Sequence, residues 1–589
     1  MKLHPTSVLV LMLGVVACSR TPEPRVIGPQ PTRNPPAVAL VPAPSDSVTA
    51  TLARLTTRQK VAQLVMPWLL GDYVSADDPS MRRAYRWVDS LQVGGIIIST
   101  GTPLDIASKL NALQRHAPLP LLIAADFEGG IVMRIAAGTA FPTQMGIGAT
   151  GRTEDAYQLG RITAVEGRAV GVHLAFAPVA DVNSNPANPI INTRSFGADQ
   201  NAVARMVAAT VRGMRDGGIL STAKHFPGHG DTETDSHLSM PVITAPWARF
   251  DSLELVPFRA AIDAGVDAVM SAHIALPALD NGSRLPGTLS PAILTGILRD
   301  SLHFEGLITT DALDMGGIAK EVSADEAVIR AFEAGSDLLL MPADPAAAII
   351  AVTRAVERGR ISMTRLDRSV RKILELKARM ELFERRDVDL TAVSTLVGNM
   401  EHKAIARDIT ERSLVLLKDA GGTVAALRAA PQRVALVTVG STTLGATLAA
   451  ALRRGGHTVS PVVVPAEPTA RDLRRIDSII SAAKYTVLAT SVRWGSYQGT
   501  IGLAKPTADL LTRLARRRPT VLVSFGSPYI IAQVPTAGSY LIGWSNTPVV
   551  ESAVGAALTG GIAITGKAPI PIPPSWPIQA GIVMPTSRP

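Results

Sequence analysis

Cysteine is almost absent: Cys18 is the only one in 589 residues. No disulfide framework can therefore hold the fold, and the core must rest on apolar burial, for which a 47% apolar composition is ample. A membrane-spanning run is missing from the amino terminus, where the apolar stretch at 8–17 has ten residues, too few to cross a bilayer. Internal repeats and coiled-coil heptads are not evident. A clustered basic footprint is also lacking. The net charge of +9 and pI near 9.8 come from scattered lysines and arginines, which suits an anionic envelope polymer and does not suit nucleic acid. The length predicts two to four domains.

What is present begins with MKLHPTSVLVLMLGVVACSR: a basic start at Lys2, the short apolar run, then Cys18. This reads as an export signal over 1–18. Val15, Val16, Ala17 and Cys18 resemble a bacterial lipobox, in which the cysteine is lipidated and becomes the first mature residue. Residues 19–46 are rich in proline and predict an extended, semi-rigid tether between the lipid and the folded chain. Ser19, in place of the aspartate associated with inner-membrane retention, points to the periplasmic face of an outer membrane.

From residue 47 the chain alternates. Thr56 and Gln59 form a capping box, and Ser323 with Glu326 is read as another. Apolar runs of strand length fall at 63–68, 94–99, 120–126, 173–181, 218–225, 267–273, 306–311 and 336–342, with amphipathic stretches such as 251–264 between them. Eight such runs alternating with helices predict an α/β fold, a (β/α)8 TIM-type barrel over 47–388, closed by a helix at 364–380. Asp126, Asp181, Lys224, His225, His273 and Asp311 lie at or near the carboxyl ends of these strands, where barrel enzymes keep their chemistry. A helix at 401–414 and strand-like runs at 433–440, 461–465, 485–492 and 520–526 predict a smaller α/β layered sandwich domain over 400–575. The proline-rich chain from 567 is expected on the surface, with an irregular tail at 576–589. Residues 561–568, GIAITGKA, imitate a phosphate loop but carry alanine where a magnesium ligand belongs.

The densest chemistry is at 224–237, KHFPGHGDTETDSH. Pro227 and Gly228 between His225 and His229 break the helix that a helical zinc site needs, so no metal is called for, and no cofactor. Asp235 and His237 are two apart; in an extended segment both point the same way, and the carboxylate can hold the imidazole in one tautomer. That is how an acid/base histidine is oriented.

Four motifs in order, ADFEGG around Asp126, NTRSFG around Arg194, the 224–237 loop and TTDALDMGGI after Gly306, resemble glycoside hydrolase family 3 in its bacterial β-N-acetylglucosaminidase branch. ARDITERSLVLLKD at 406–419 resembles the opening of the family's second domain. The resemblance implies a retaining hydrolase of terminal β-linked N-acetylglucosamine. In it Asp311 would be the nucleophile and His237 the acid/base, oriented by Asp235. Asp126, Arg134, Arg194, Lys224 and His225 would bind the innermost sugar. Family members often read EGGRV where this chain has Ile131, so one arginine contact is missing. The expected partners are N-acetylglucosaminides derived from peptidoglycan, since an envelope lipoprotein meets such fragments, and a membrane through the lipid on Cys18; a monomer is expected. Three enzyme alternatives stay open: a family 3 β-glucosidase or β-xylosidase with a glutamate acid from the second domain, a phosphorylase, and a metal-dependent hydrolase using His225, His229 and Asp231. The first is disfavoured because only Glu401, Glu411, Glu467 and Glu551 follow residue 400. A polysaccharide-binding lipoprotein is the non-enzyme alternative.

Overall fold

The eight apolar runs fold into a ring of parallel strands. The structure is a computed structural model that describes residues 45–440, 443–495 and 501–587. Cys18, the export signal and residues 19–44 of the proposed tether lie outside the described residues. The strands are β1 (Val65–Met66), β2 (Trp68–Leu70), β3 (Gly95–Ser99), β4 (Leu122–Ala125), β5 (Leu174–Ala175), β6 (Leu220–Phe226), β7 (Ala268–Ser271), β8 (Leu307–Thr309) and β9 (Leu339–Leu340). β2 to β8 pair in sequence order, each parallel to the next, and β9 pairs parallel with β1. Pro67, which has no N–H to give, separates β1 from β2, yet its carbonyl still accepts the Ile97 amide at 2.9 Å. A parallel bridge between Thr309 and Leu338 joins β8 to the β9 segment, so the ring closes. β3 to β8 are buried along their whole length, which explains their near-continuous apolar sequences.

Local departures have local causes. The run at 173–181 is a strand only over β5. Beyond Pro178 it rejoins the sheet edge through Ala180, whose amide donates to the Lys224 carbonyl at 2.7 Å, and this sets Asp181 beside the end of β6. The 251–264 stretch divides into a π-helical turn, Phe250–Glu254, and an α-helix, Val256–Asp263, with Pro257 in the first turn of the second, where a missing N–H costs nothing. The capping box at 56–59 forms, but Ser323 caps alone: Glu326 turns instead to Arg330 at 2.6 Å and Arg360 at 2.8 Å.

The second sheet contains β10 (Val415–Asp419), β11 (Arg433–Val439), β12 (Thr458–Val463), β13 (Tyr485–Thr490), β14 (Thr520–Ser524) and β15 (Ser539–Ile542), in the order β10-β15-β14-β13-β11-β12. All pairs are parallel except β10 with β15, and apolar clusters cover both faces. The expectation that the chain from 567 lies on the surface is corrected: Ala568, Ile570 and Ile572 are fully buried. The tail shields the open edge of β10, where the Ile582 amide donates to the Leu416 carbonyl at 2.7 Å. The imitation phosphate loop belongs to this packing, since the Lys567 amine donates to the Gly581 carbonyl at 2.7 Å. The two sheets are tied to each other. The Asn183 amide donates to the Tyr529 hydroxyl at 2.9 Å, and Arg412 pairs with Asp155 at 2.7 Å.

Candidate active site

A cavity of about 260 Å3 opens at the carboxyl ends of the barrel strands. Asp126, Arg134, Arg194, Lys224, His225, His237 and Asp311 all line it, and Asp235 stands behind His237. Lys224 and His225 are adjacent in β6 and would face opposite sides of a regular strand. The register with β7 slips between Lys224 and Phe226, and this bulge lets both side chains reach the cavity.

Five charges form the floor. Asp126 takes Lys224 at 2.9 Å and Arg134 at 2.8 Å. Glu128 takes both Nε and Nη2 of Arg194, at 2.9 and 2.8 Å, and shares Lys224 at 2.8 Å. Burial works to raise both carboxyls, but the cations outweigh it: Lys224 and Arg134 hold Asp126 at about 2, and Arg194 and Lys224 hold Glu128 well below the usual range. Burial likewise works to discharge Lys224, and Asp126 and Glu128 raise it instead. Arg194 is further placed by the Ile190 carbonyl at 3.1 Å and lies 4.6 Å from the ring centre of Trp494, which reaches over from the second sheet. His225 is held from behind by Asp181, 2.7 Å from Nδ1. Arg194 Nη2, which can only donate, sits 3.2 Å from Nε2, so the ring proton faces Asp181.

On another wall, Asp235 Oδ1 accepts from both the backbone amide and Nδ1 of His237, each at 2.9 Å. The two meet through a turn, with the Leu238 amide donating to the Asp235 carbonyl at 2.9 Å, so the extended geometry expected there is replaced by a tighter one. The turn rests on the chain after Asp311. Amides of Gly316 and Gly317 donate to the carbonyls of His237 and Ser236 at 3.2 and 3.0 Å, and a Cβ at either glycine would meet those oxygens at 2.6 and 2.7 Å. Asp311 accepts from the Ala312 amide at 2.8 Å. Burial works to raise its carboxyl, but His225, His273 and that amide keep it below the ordinary value. Asp314, also on the cavity wall, is pushed up by burial. An ionised carboxylate and an oriented imidazole thus line one cavity, the pair that covalent catalysis with proton transfer requires.

Residues 56–376, more than half of the chain, match the glycosyl hydrolase family 3 N terminal domain. The chain belongs to glycosyl hydrolase family 3. It is 32% identical over 549 residues to a β-N-acetylglucosaminidase/β-glucosidase of Cellulomonas fimi, covering 89% of this chain and 95% of that one. It is also 32% identical to the β-hexosaminidase LpqI of Mycobacterium tuberculosis, over 62% of this chain and 94% of that one. A solved family 3 β-N-acetylglucosaminidase from Paenibacillus sp. superposes with a TM-score of 0.79 at 35% identity, covering 88% of this chain and 99% of that one. The protein is a glycoside hydrolase.

In this family 3 hydrolase, Ile131 at the departure from EGGRV is fully buried in the core, and the cavity cation of that turn is Arg134. His225, His229 and Asp231 are engaged separately. His229 bonds Thr232 at 2.8 Å and Ser236 at 3.0 Å, while Asp231 pairs with Arg249 at 3.1 Å. Glu128, Asp181 and Trp494 are among the members of the site not named as site residues from sequence. Glu128 has a signal in its ADFEGG motif and Asp181 in its strand-end position, but Trp494 has none, because only the second sheet brings it to the cavity.

His229 carries a pH prediction for this hydrolase. Burial, then the neighbouring His225, pushes its imidazole down to about 4. An unfolded imidazole titrates near ~6.5. Below that pH the unfolded chain binds a proton that the native site refuses, so stability falls as pH drops from about 6.5 toward about 4, by at most ~1.4 kcal/mol per pH unit for this group. Urea midpoints should decline between pH 7 and 5, and less steeply in His229→Asn. Equal slopes would place the acid sensitivity elsewhere.

Proposed function

We propose that this family 3 hydrolase is a retaining exo-β-N-acetylglucosaminidase acting on cell-wall fragments or related oligosaccharides. Asp311 attacks the anomeric carbon while His237 gives a proton from Nε2 to the departing oxygen, leaving a glycosyl-aspartate. His237 then takes a proton from the water that resolves it. The observation that carries the reading is the Asp235–His237 contact of 2.9 Å on a cavity shared with Asp311. Asp235 occupies Nδ1, so proton exchange with substrate falls to Nε2. Against a second-domain glutamate as the acid, none of Glu401, Glu411, Glu467 and Glu551 lines the cavity, and Glu551 is buried against the amides of Gly445 and Leu448. Asp126, Arg134, Arg194, Lys224 and His225 bind the innermost sugar. We further propose a monomeric lipoprotein, anchored through Cys18 and the tether to the periplasmic face of an outer membrane.

The deciding experiment compares turnover of aryl β-N-acetylglucosaminide with aryl β-glucoside in phosphate-free buffer. A preference for the acetamido sugar of at least about tenfold is expected, and a preference for the glucoside would reject the branch. Phosphorolysis is the second reading. It is favoured by two solved structures of the β-glucoside phosphorylase BglX, which align at TM-scores of 0.81 and 0.79 with 28% and 27% identity. Added phosphate that accelerates turnover and yields sugar-1-phosphate would establish it. For the dyad, Asp235→Asn should leave the fold intact and lower kcat by ~10²-fold or more. An unchanged rate would remove Asp235 from the mechanism.

A further inference from the structure

A second cavity, of about 670 Å3, lies at the opposite end of the barrel. Its walls include Gly217 and Gly218, which precede β6, and the chain from Arg379 to Asp389, which follows the closing helix Met363–Arg379. β6 runs seven residues from there to the catalytic cavity, so at about 3.3 Å per residue the two sites are ~20 Å apart. They cannot hold one sugar between them.

Arg168, Arg379, Arg385 and Arg386 line this cavity. Arg168 Nη1 and Arg379 Nε are buried donors with no hydrogen-bond partner among the described residues. A buried donor left unmade is costly, and two on guanidinium groups that line one cavity mark where an acceptor belongs. The acids nearby are occupied: Asp267 holds Arg379 through another nitrogen, Asp387 pairs with Arg115 at 2.8 Å, and Asp389 caps the helix Leu390–Leu396. Glu381 reaches Arg385 only at 3.7 Å. Burial and then Arg385 lower Arg168 to about 10, and burial and then Arg386 lower Lys377 to about 7.

We propose that this cavity is a binding site for a phosphate group, held by Arg168 and Arg379 within and by Arg385 and Arg386 at the mouth. A tetrahedral oxyanion has enough acceptors to serve donors carried on separate elements of one cavity, and guanidinium groups suit it. Free phosphate and the headgroup of an anionic lipid share this chemistry.

The test uses the full chain with Cys18→Ser, which removes the acyl acceptor, alone and with Arg168→Gln or Arg385→Ser added. Arg385 is 77% exposed, so its replacement spares the fold should Arg168→Gln fail to accumulate. Inorganic phosphate is titrated calorimetrically at constant ionic strength, and sedimentation with phosphatidylglycerol vesicles is compared with phosphatidylcholine vesicles. Phosphate binding weakened at least about tenfold by either replacement, with turnover of the aryl substrate unchanged, supports the site and identifies free phosphate as sufficient. Binding to phosphatidylglycerol alone, weakened by the same replacements, supports it with the headgroup as source. Phosphate binding that the replacements leave unchanged belongs to the catalytic cavity and overturns the proposal, as does no binding in either arm.

Discussion

Asp311→Ala should lower kcat by ~10⁴-fold or more, and azide should restore turnover by releasing the α-glycosyl azide. The expectation follows from what Asp311 does and does not touch. It accepts a hydrogen bond from the Ala312 amide at 2.8 Å and forms no salt bridge among the described residues, so truncation removes a reactive group without opening a buried ionic network. Its carboxyl is kept below the ordinary value, so it is ionised at neutral pH and available to form a bond to carbon. With the side chain gone, a small anion can occupy its place and attack from the same face, giving an α-linked azide where the proposed mechanism forms its glycosyl-aspartate. Asp314 is the control. It lines the same cavity, but burial pushes its carboxyl up, which suits a group that is not the nucleophile. Azide rescue in Asp314→Ala, with Asp311→Ala keeping a tenth of its activity, would transfer the nucleophile to position 314.

The barrel was legible because its strands are buried on both faces: GGIIIS and PLLIAAD have no polar alternation to confuse with a helix face. β10 and β15 were not, for different reasons. VLLKD follows directly on the helix Met400–Ser413, whose amphipathic pattern runs into it, and SYLI is four residues made a strand only by β14 and β10 on its flanks. The tail misled by composition. Its prolines read as a surface segment, but Ile570 and Ile572 fill space that exists only once the second sheet is packed against the barrel. The site divides in the same way. Groups within one loop, such as Asp235 and His237, could be paired from spacing, although their contact runs through a turn. The Glu128–Arg194 pair spans 66 positions and the Arg194–Trp494 stack 300, distances over which one sequence gives no pairing signal.

Arg194→Met should be the most damaging single change to the floor of the cavity, lowering stability by about 3–5 kcal/mol and kcat/KM by ~10²-fold or more. The side chains of Arg194 and Glu128 are 9% and 6% exposed, so removing the cation leaves a carboxylate in the interior with only Lys224, which Asp126 already shares. Much of the stability loss is therefore the cost of stranding Glu128, and this separates structure from chemistry. Adding Glu128→Gln to Arg194→Met removes the stranded charge and should recover part of the urea midpoint. It cannot return a guanidinium to the sugar, so kcat/KM should stay low. If the double variant recovers activity together with stability, Arg194 ties the rim and does not bind substrate. If neither recovers, the two residues are not coupled through their ion pair, and the order of the floor must come from Trp494 and the Ile190 carbonyl instead.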